Sequence, residues 1–348
     1  MTDSPRTAPE LVGATALLST GVRLHYYSAG DGDDVVVLLH GWPQTSWQWR
    51  HVIPLLAAAG HRVIAPDARG AGHSSRPSRD EGNPGDPRGA GLLPTGYDKR
   101  AVAADIHALL TEELGINGPV TVVGHDIGAM TAVAYALAYR DHVRALVIGE
   151  APIPGTDVYE QLKTSPPMYH FAFHSVLDLP EALVAGREDV YLQHFFDRLG
   201  YRPEAVDVDH YVRAYSQAGA LRAGFGLYRA FEQDAADNRE ALERDGKLAV
   251  PVLAFYGEIS RFADATAPMA RELATDVTTV RSRSRATGWR RRTPASWPPR
   301  SCSSCVTMGH SRPAHRLAFA PSVEPPRHRG ARRAARRLSS RRRVVVRL

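Results

Sequence analysis

The segment Val122–Ala129, VVGHDIGA, constrains the fold more than any other stretch of the chain. An apolar run ends at Gly124, an alanine-rich run begins after Gly128, and one acidic side chain, Asp126, stands midway. Strand, sharp turn and helix within eight residues require small residues where the helix crosses back over the strand. The middle side chain is forced out beyond the carboxyl end of the strand, where open α/β sheets place ligands. A helix N-cap is the plainer role for such an aspartate, and the segment alone leaves both open.

The flanking chain repeats the strand–helix alternation. Val35–Leu39 is a continuous apolar run of the kind buried on both faces of a parallel sheet, and Arg62–Ala65, Val120–Val123 and Ala145–Ile148 repeat the signal. Ala14–Leu18 and Val22–Tyr27, joined by Ser19–Gly21, predict an antiparallel pair. Tyr97–Leu114 and Ala129–Tyr139 read as helices, and the Gly- and Pro-rich stretch Ser78–Thr95 as a surface loop. Between Pro152 and Lys247 the strand signal is lost, and Glu181–Leu199 and Asp207–Asp237 read as helices. Pro251–Phe255 then returns as a strand and Ala265–Ala274 as a helix. The expected architecture is α/β, a mostly parallel sheet covered by helices, with an all-helical insertion. Residues 1–152 and 248–280 are the two parts of the core, 153–247 the inserted cap and 281–348 a tail.

Charge sets that tail apart. From Arg281 onward the chain holds 19 arginines, no lysine and one acid, Glu324, a net +18. The first 280 residues hold 24 basic and 36 acidic side chains, a net −12. Such a tail invites a nucleic-acid or membrane reading. The apolar runs are far shorter than the ~20 residues of a membrane span, and the first residues lack the pattern of a secretory signal. Cys302 and Cys305 cannot staple a chain of 348 residues, and their CxxC spacing has neither a second ligand pair nor a redox context. A cytoplasmic protein is expected.

Two further segments join the elbow. His40-Gly41-Trp42-Pro43 follows one apolar strand and Asp67-Ala68-Arg69-Gly70-Ala71-Gly72-His73-Ser74 follows the next. In this order and spacing the three motifs resemble the α/β-hydrolase superfamily and, within it, the epoxide hydrolases, over about residues 14–280. Glu150-Ala151-Pro152, His170-Phe171-Ala172-Phe173 and Phe225-Gly226-Leu227-Tyr228 resemble the subgroup with a histidine–tyrosine pair in the cap. The resemblance implies an α/β-hydrolase fold and hydrolysis of an epoxide to a vicinal diol, without cofactor or metal. Asp126 is then the nucleophile. Such a carboxylate, with an ordinary pKa of ~3.9, needs no base before attacking the strained ring.

The departing alkoxide needs an acid of phenol type. By resemblance this is Tyr228 with His170 beside it, against the plainer roles of packed cap aromatic and structural histidine. The backbone N–H groups of Trp42 and Ile127 are the implied oxyanion donors, each worth roughly 3–4 kcal/mol in comparable sites. Trp42–Pro43 is expected to be cis, and the Trp42 ring can also line the pocket. Glu150 is the implied acid that orients a water-activating histidine, with Glu258 as rival. His25, His51, His61 and His73 read as surface or loop histidines. The expected partners are a small-molecule epoxide and water; a homodimer is allowed, and neither nucleic acid nor membrane is expected. Haloalkane and haloacid dehalogenases share the aspartate ester. Their halide-holding tryptophan and carboxylate-gripping arginines are replaced here by Ile127 and Met130.

The catalytic histidine of such enzymes follows one more strand, as Gly-His-Trp before a final helix. Here Thr278-Thr279-Val280 gives way to RSRSRATGWRRRTPASWPPRSCSSC, which holds no such motif. One DNA permitted by the genetic code for Arg281–Cys305 reads, in the neighbouring frame, EVPEPGHWVAEENPGELAAEVLQLLR. That string holds Gly-His-Trp followed by a helical apolar pattern. A frameshift after Val280 is therefore expected, which makes the arginine surplus a product of GC-rich DNA. His310, in Met308-Gly309-His310-Ser311, lacks the tryptophan and helix and is not expected to serve as the base. The last core strand and its covering helix are expected to be missing.

Overall fold

The computed structural model describes residues 11–77, 96–199, 206–258 and 260–282. The Ser78–Thr95 loop, Cys302, Cys305, His310 and the arginine-rich tail beyond Ser282 lie outside the described residues.

Among the described residues eight strands form one sheet. They are β1 (Val12–Leu17), β2 (Arg23–Ala29), β3 (Val35–Leu39), β4 (Arg62–Pro66), β5 (Val120–His125), β6 (Val143–Gly149), β7 (Val252–Gly257) and β8 (Val277–Ser282), in the order β1-β2-β4-β3-β5-β6-β7-β8. β1 and β2 form an antiparallel pair and β2 meets β4 antiparallel; all later neighbours are parallel. Every residue of β3 and β5 is buried, as their unbroken apolar character predicts for the centre of a covered sheet.

The core helices are α1 (Ile53–Ala58), α2 (Lys99–Ala108), α3 (Ile127–Ala138) and, after β7, α11 (Ala263–Leu273). α3 has an almost wholly buried surface, with Tyr135 and Met130 among alanines, and packs on β3, β5, β6 and α2. Between β6 and β7 lie α4 (Asp157–Leu162), α5 (Tyr169–Ser175), α6 (Leu179–Val184), α7 (Glu188–Leu199), α8 (Val208–Tyr215), α9 (Ala220–Arg229) and α10 (Phe231–Asp245), with no strand among the described residues there. The two long helices read from the sequence are subdivided. Glu181–Leu199 breaks at Gly186, whose φ of +75° no ordinary helix residue adopts, and Asp207–Asp237 breaks at Gly219 and Ala230. Tyr97–Leu114 starts with Asp98 capping α2 and ends in a π-helical turn, Leu109–Glu113.

β8 corrects the expectation of a missing last strand. Val277–Ser282 runs parallel to β7 from Val252↔Val277 to Gly257↔Ser282. Only Val277 and Val280 are even half-buried in it, so its apolar signal was too weak to read as a core strand. His25 is also corrected: it sits on β2, and its Nδ1 lies 3.0 Å from Asp67 Oδ2.

Asp67, after β4, ties the entry loops of the sheet together. Its Oδ1 accepts from the Ser46 N–H (2.8 Å) and hydroxyl (2.7 Å), and its Oδ2 from the His73 N–H (3.0 Å). Burial pushes this carboxyl up, but the hydrogen bonds from His25, Ser46 and His73 outweigh it and bring the pKa down to about 2. The stabilisation, about 2 kcal/mol, is full above the unfolded value of 3.8 and is lost as pH falls through about 2. Urea titration of Asp67→Asn at pH 7 should show a loss of about that size. The gap to the unchanged chain should narrow between pH 4 and 2, and a pH-independent gap would refute the assignment.

Candidate active site

The elbow is built as its glycines predict. Asp126, between β5 and α3, has φ 56° and ψ −128°, and its side chain makes no cap hydrogen bond along α3. A non-glycine residue at positive φ is strained by about 1–3 kcal/mol and persists only where its surroundings hold it. What holds it is backbone crowding. A Cβ on Gly128 would lie 2.2 Å from the Leu39 carbonyl oxygen, and one on Gly124 equally close to the Gly128 carbonyl. A Cβ on Gly41 would strike Asp126 Cβ at 2.6 Å, so the loop after β3 closes directly on the aspartate.

Asp126 Oδ1 accepts the Trp42 N–H at 2.9 Å, and the Ile127 N–H also donates to the carboxylate. Both expected oxyanion donors therefore meet at one group. Trp42–Pro43 is cis. Burial raises the Asp126 pKa to about 6, against the lowering effect of the Ile127 and Trp42 N–H groups and of the Lys99 charge. The carboxylate is thus mostly ionised at pH 7, with a smaller margin than an ordinary aspartate.

Asp126 opens onto a cavity of about 70 Å³ lined also by Trp42, Glu150, His170, Phe195 and Tyr228. Tyr228 on α9 and His170 on α5 come from the helical insertion, with ring centroids 5.7 Å apart. The Trp42 ring meets Tyr228 edge-on at 5.5 Å and Phe195 at 5.1 Å. The Trp42 ring therefore lines the cavity while its backbone N–H meets Asp126. Burial, with the Asp126 charge next, pushes the Tyr228 hydroxyl well above the ordinary tyrosine range, so it stays protonated.

Glu150 follows β6 at φ 61° and is 3% exposed. Its Oε1 accepts the Gly257 N–H (2.5 Å) and its Oε2 the Ser260 hydroxyl (2.6 Å). Burial raises its pKa, and the Ser260 and Gly257 hydrogen bonds counter this. Glu258, by contrast, is exposed at the sheet edge and ion-paired with Arg281.

Sequence reasoning missed several neighbours. His125 and Arg261 line the cavity, and Ser260 supports Glu150 across 110 residues, a separation that leaves no local signal. His174, one turn beyond His170, is fully buried and lies nearer the Tyr228 ring, at 4.4 Å. Its Nε2 is 2.6 Å from the Tyr191 hydroxyl. Among the described residues no cluster of three or more His, Cys, Asp or Glu side chains could hold a metal ion, and no helix is long and apolar enough to cross a membrane.

A family model for the α/β hydrolase fold matches residues 34–268. A soluble epoxide hydrolase of Corynebacterium sp. (strain C12) is 35% identical over 267 residues, which is 74% of this chain and 84% of that protein. The crystal structure of Cfl2 from Burkholderia cenocepacia matches with a TM-score of 0.69 at 36% identity, covering 81% of this chain and 90% of that one. The structure of the epoxide hydrolase CorEH matches with a TM-score of 0.64 at 31% identity, covering 79% and 91%. This chain belongs to the α/β-hydrolase family and, within it, is a hydrolase of the epoxide hydrolase type.

Any chemistry that uses the ionised Asp126 should fall about tenfold per pH unit on the acid side of a midpoint near pH 6. Infrared difference spectra of the carboxyl stretch against Asp126→Asn give that midpoint directly. A value near 4 would show that the carboxylate is better solvated than its burial here implies.

Proposed function

We propose that the chain opens epoxides through an ester on Asp126 and that, with the sequence as it stands, the ester is not hydrolysed. The observation that carries the first half is the convergence on one cavity of a strained, half-buried carboxylate and the cap residues Tyr228 and His170. An Asp126 oxygen attacks a ring carbon, the carbon–oxygen bond of the ring breaks, and the alkoxide takes a hydrogen bond and then a proton from Tyr228. The tyrosinate recovers its proton from water. Because burial keeps Tyr228 protonated, it is a donor throughout the working pH range.

Hydrolysis then requires water to add at the ester carbonyl, with the Trp42 and Ile127 N–H groups holding the oxyanion and a histidine, oriented by Glu150, taking the water's proton. No histidine follows β7 within the described residues, and the next in sequence is His310. Glu150 already accepts from Gly257 and Ser260. A frameshift just after Val280 accounts for both the absent Gly-His-Trp and the arginine-rich tail. Resequencing the DNA across the codons for Asp276 to His310 tests this: a base gained or lost restores an ordinary epoxide hydrolase, and an intact frame leaves a chain that stalls.

For the chain as written, intact-mass analysis after exposure to an aryl epoxide should show one added epoxide per chain, none on Asp126→Ala, and no accumulating diol. Many diols per chain would defeat the stalled-ester reading. Release of halide from a haloalkane without reaction of the epoxide would favour a dehalogenase instead. Tyr228→Phe should slow adduct formation by about 10²–10⁴-fold, read from the rate of mass gain. An unchanged rate would leave Tyr228 as packing alone.

A further inference from the structure

Lys99 is the first residue of α2, where the positive end of the helix dipole disfavours a cation. Its side chain is nevertheless 1% exposed. The ammonium donates to the Leu227 carbonyl at 2.7 Å and to Asp234 Oδ2 at 2.8 Å, and lies 4.8 Å from the centre of the Phe231 ring. Asp234 Oδ1 in turn accepts the Lys99 backbone N–H at 2.7 Å, capping α2 from the first turn of α10. An ion pair this deeply buried is a poor source of stability compared with apolar packing of the same volume, which directs attention to what it holds.

It holds the residue before Tyr228. Leu227 lies in the last turn of α9, where carbonyls lack intrahelical partners. Phe231, under the ammonium, packs against the Tyr228 ring at 5.1 Å. We infer that the Lys99–Asp234 pair is a positioning device for the ring-opening step: the core ammonium grips the Leu227 carbonyl, and so sets the place of Tyr228 over Asp126. Lys99 touches no substrate in this arrangement. It acts through Tyr228, and the inference therefore rests on the reading of Tyr228 as the hydrogen-bond donor to the departing oxygen. Displacements of about an ångström in such a group suffice for a hundredfold change in rate. The pair also ties the start of α2 in the core to α9 and α10 in the insertion.

The test is a double-mutant cycle on the full chain with styrene oxide as probe, read as the rate of covalent adduct formation and the concentration at half-saturation. Lys99→Met with Asp234→Asn removes both charges together and leaves no buried charge unpaired. The expected result is an adduct rate at saturation about ten- to a hundredfold lower, an unchanged half-saturation concentration, and no further loss when the two changes are added to Tyr228→Phe. A loss of the same factor in both backgrounds would show that the pair acts through general structure or through the Lys99 charge on Asp126 rather than through Tyr228, and would overturn the inference, as would an unchanged rate. If Tyr228→Phe alone fails to slow the adduct, the reading of Tyr228 is lost and this inference with it. Should the charge-free variant not fold, Asp234→Glu retains both charges while displacing the ammonium. It should slow the reaction in the Tyr228 background and leave the Tyr228→Phe rate untouched; equal slowing in both would count against the pair as a positioning device.

Discussion

The strained backbone at Asp126 is the constraint on which the rest of the structure depends. A half-buried carboxylate at positive φ is unfavourable twice over, once in conformation and once in desolvation. It persists because the Leu39 carbonyl, the Gly41 loop and the crossing of Gly124 with Gly128 leave it no other place. The strand order sets those neighbours: β3 lies beside β5, so the loop after one closes on the elbow after the other. Glu150 repeats the pattern after β6, again at positive φ and more deeply buried. Two strained acids at the ends of adjacent parallel strands are what the sheet presents to the cavity.

The helical insertion completes the site by a different kind of force. Its inner face is aromatic, with Phe195, Phe225, Tyr228 and His174 packed around Trp42. Edge-to-face ring contacts orient side chains without demanding charge neutralisation. Charged contacts accompany it, among them the Lys99–Asp234 pair, wholly buried, and Arg229, its side chain 6% exposed, which pairs with Glu181 within the insertion. Burial in this surrounding moves Asp126 and Tyr228 the same way, up in pKa, but with opposite consequences: the carboxylate becomes more basic and the phenol a more persistent donor.

Much of this was legible in the sequence because the decisive signals are local. The elbow, the His40–Pro43 loop and the apolar runs of β3 and β5 are each contained within about eight residues, and the structure puts them where their periodicity and glycines direct. Strand β8 escaped because an edge strand with only two half-buried valines carries little apolar pattern. Ser260 beneath Glu150 and Asp234 beneath Lys99 escaped because each partnership joins residues more than a hundred positions apart. His174 was overshadowed by His170, since two histidines four positions apart on one helix face cannot be ranked without knowing which ring the next helix presents. Lys99 alone left a trace, as a cation at the wrong end of a helix.

The two hydrogen bonds on Asp126 have a consequence for timing. In a hydrolase whose nucleophile is a hydroxyl, the carbonyl that becomes the oxyanion belongs to the substrate and must find its donors on arrival. Here the carbonyl of the proposed ester is the aspartate's own, and its oxygen already rests on the Trp42 N–H before any substrate enters. The polar pocket for the second step is thus filled during the first, and no reorientation separates ring opening from attack on the ester. On that proposal the fold of the aspartate itself aligns both steps, and selection of the substrate falls to the rest of the cavity lining, aromatic at Trp42, Phe195 and Tyr228.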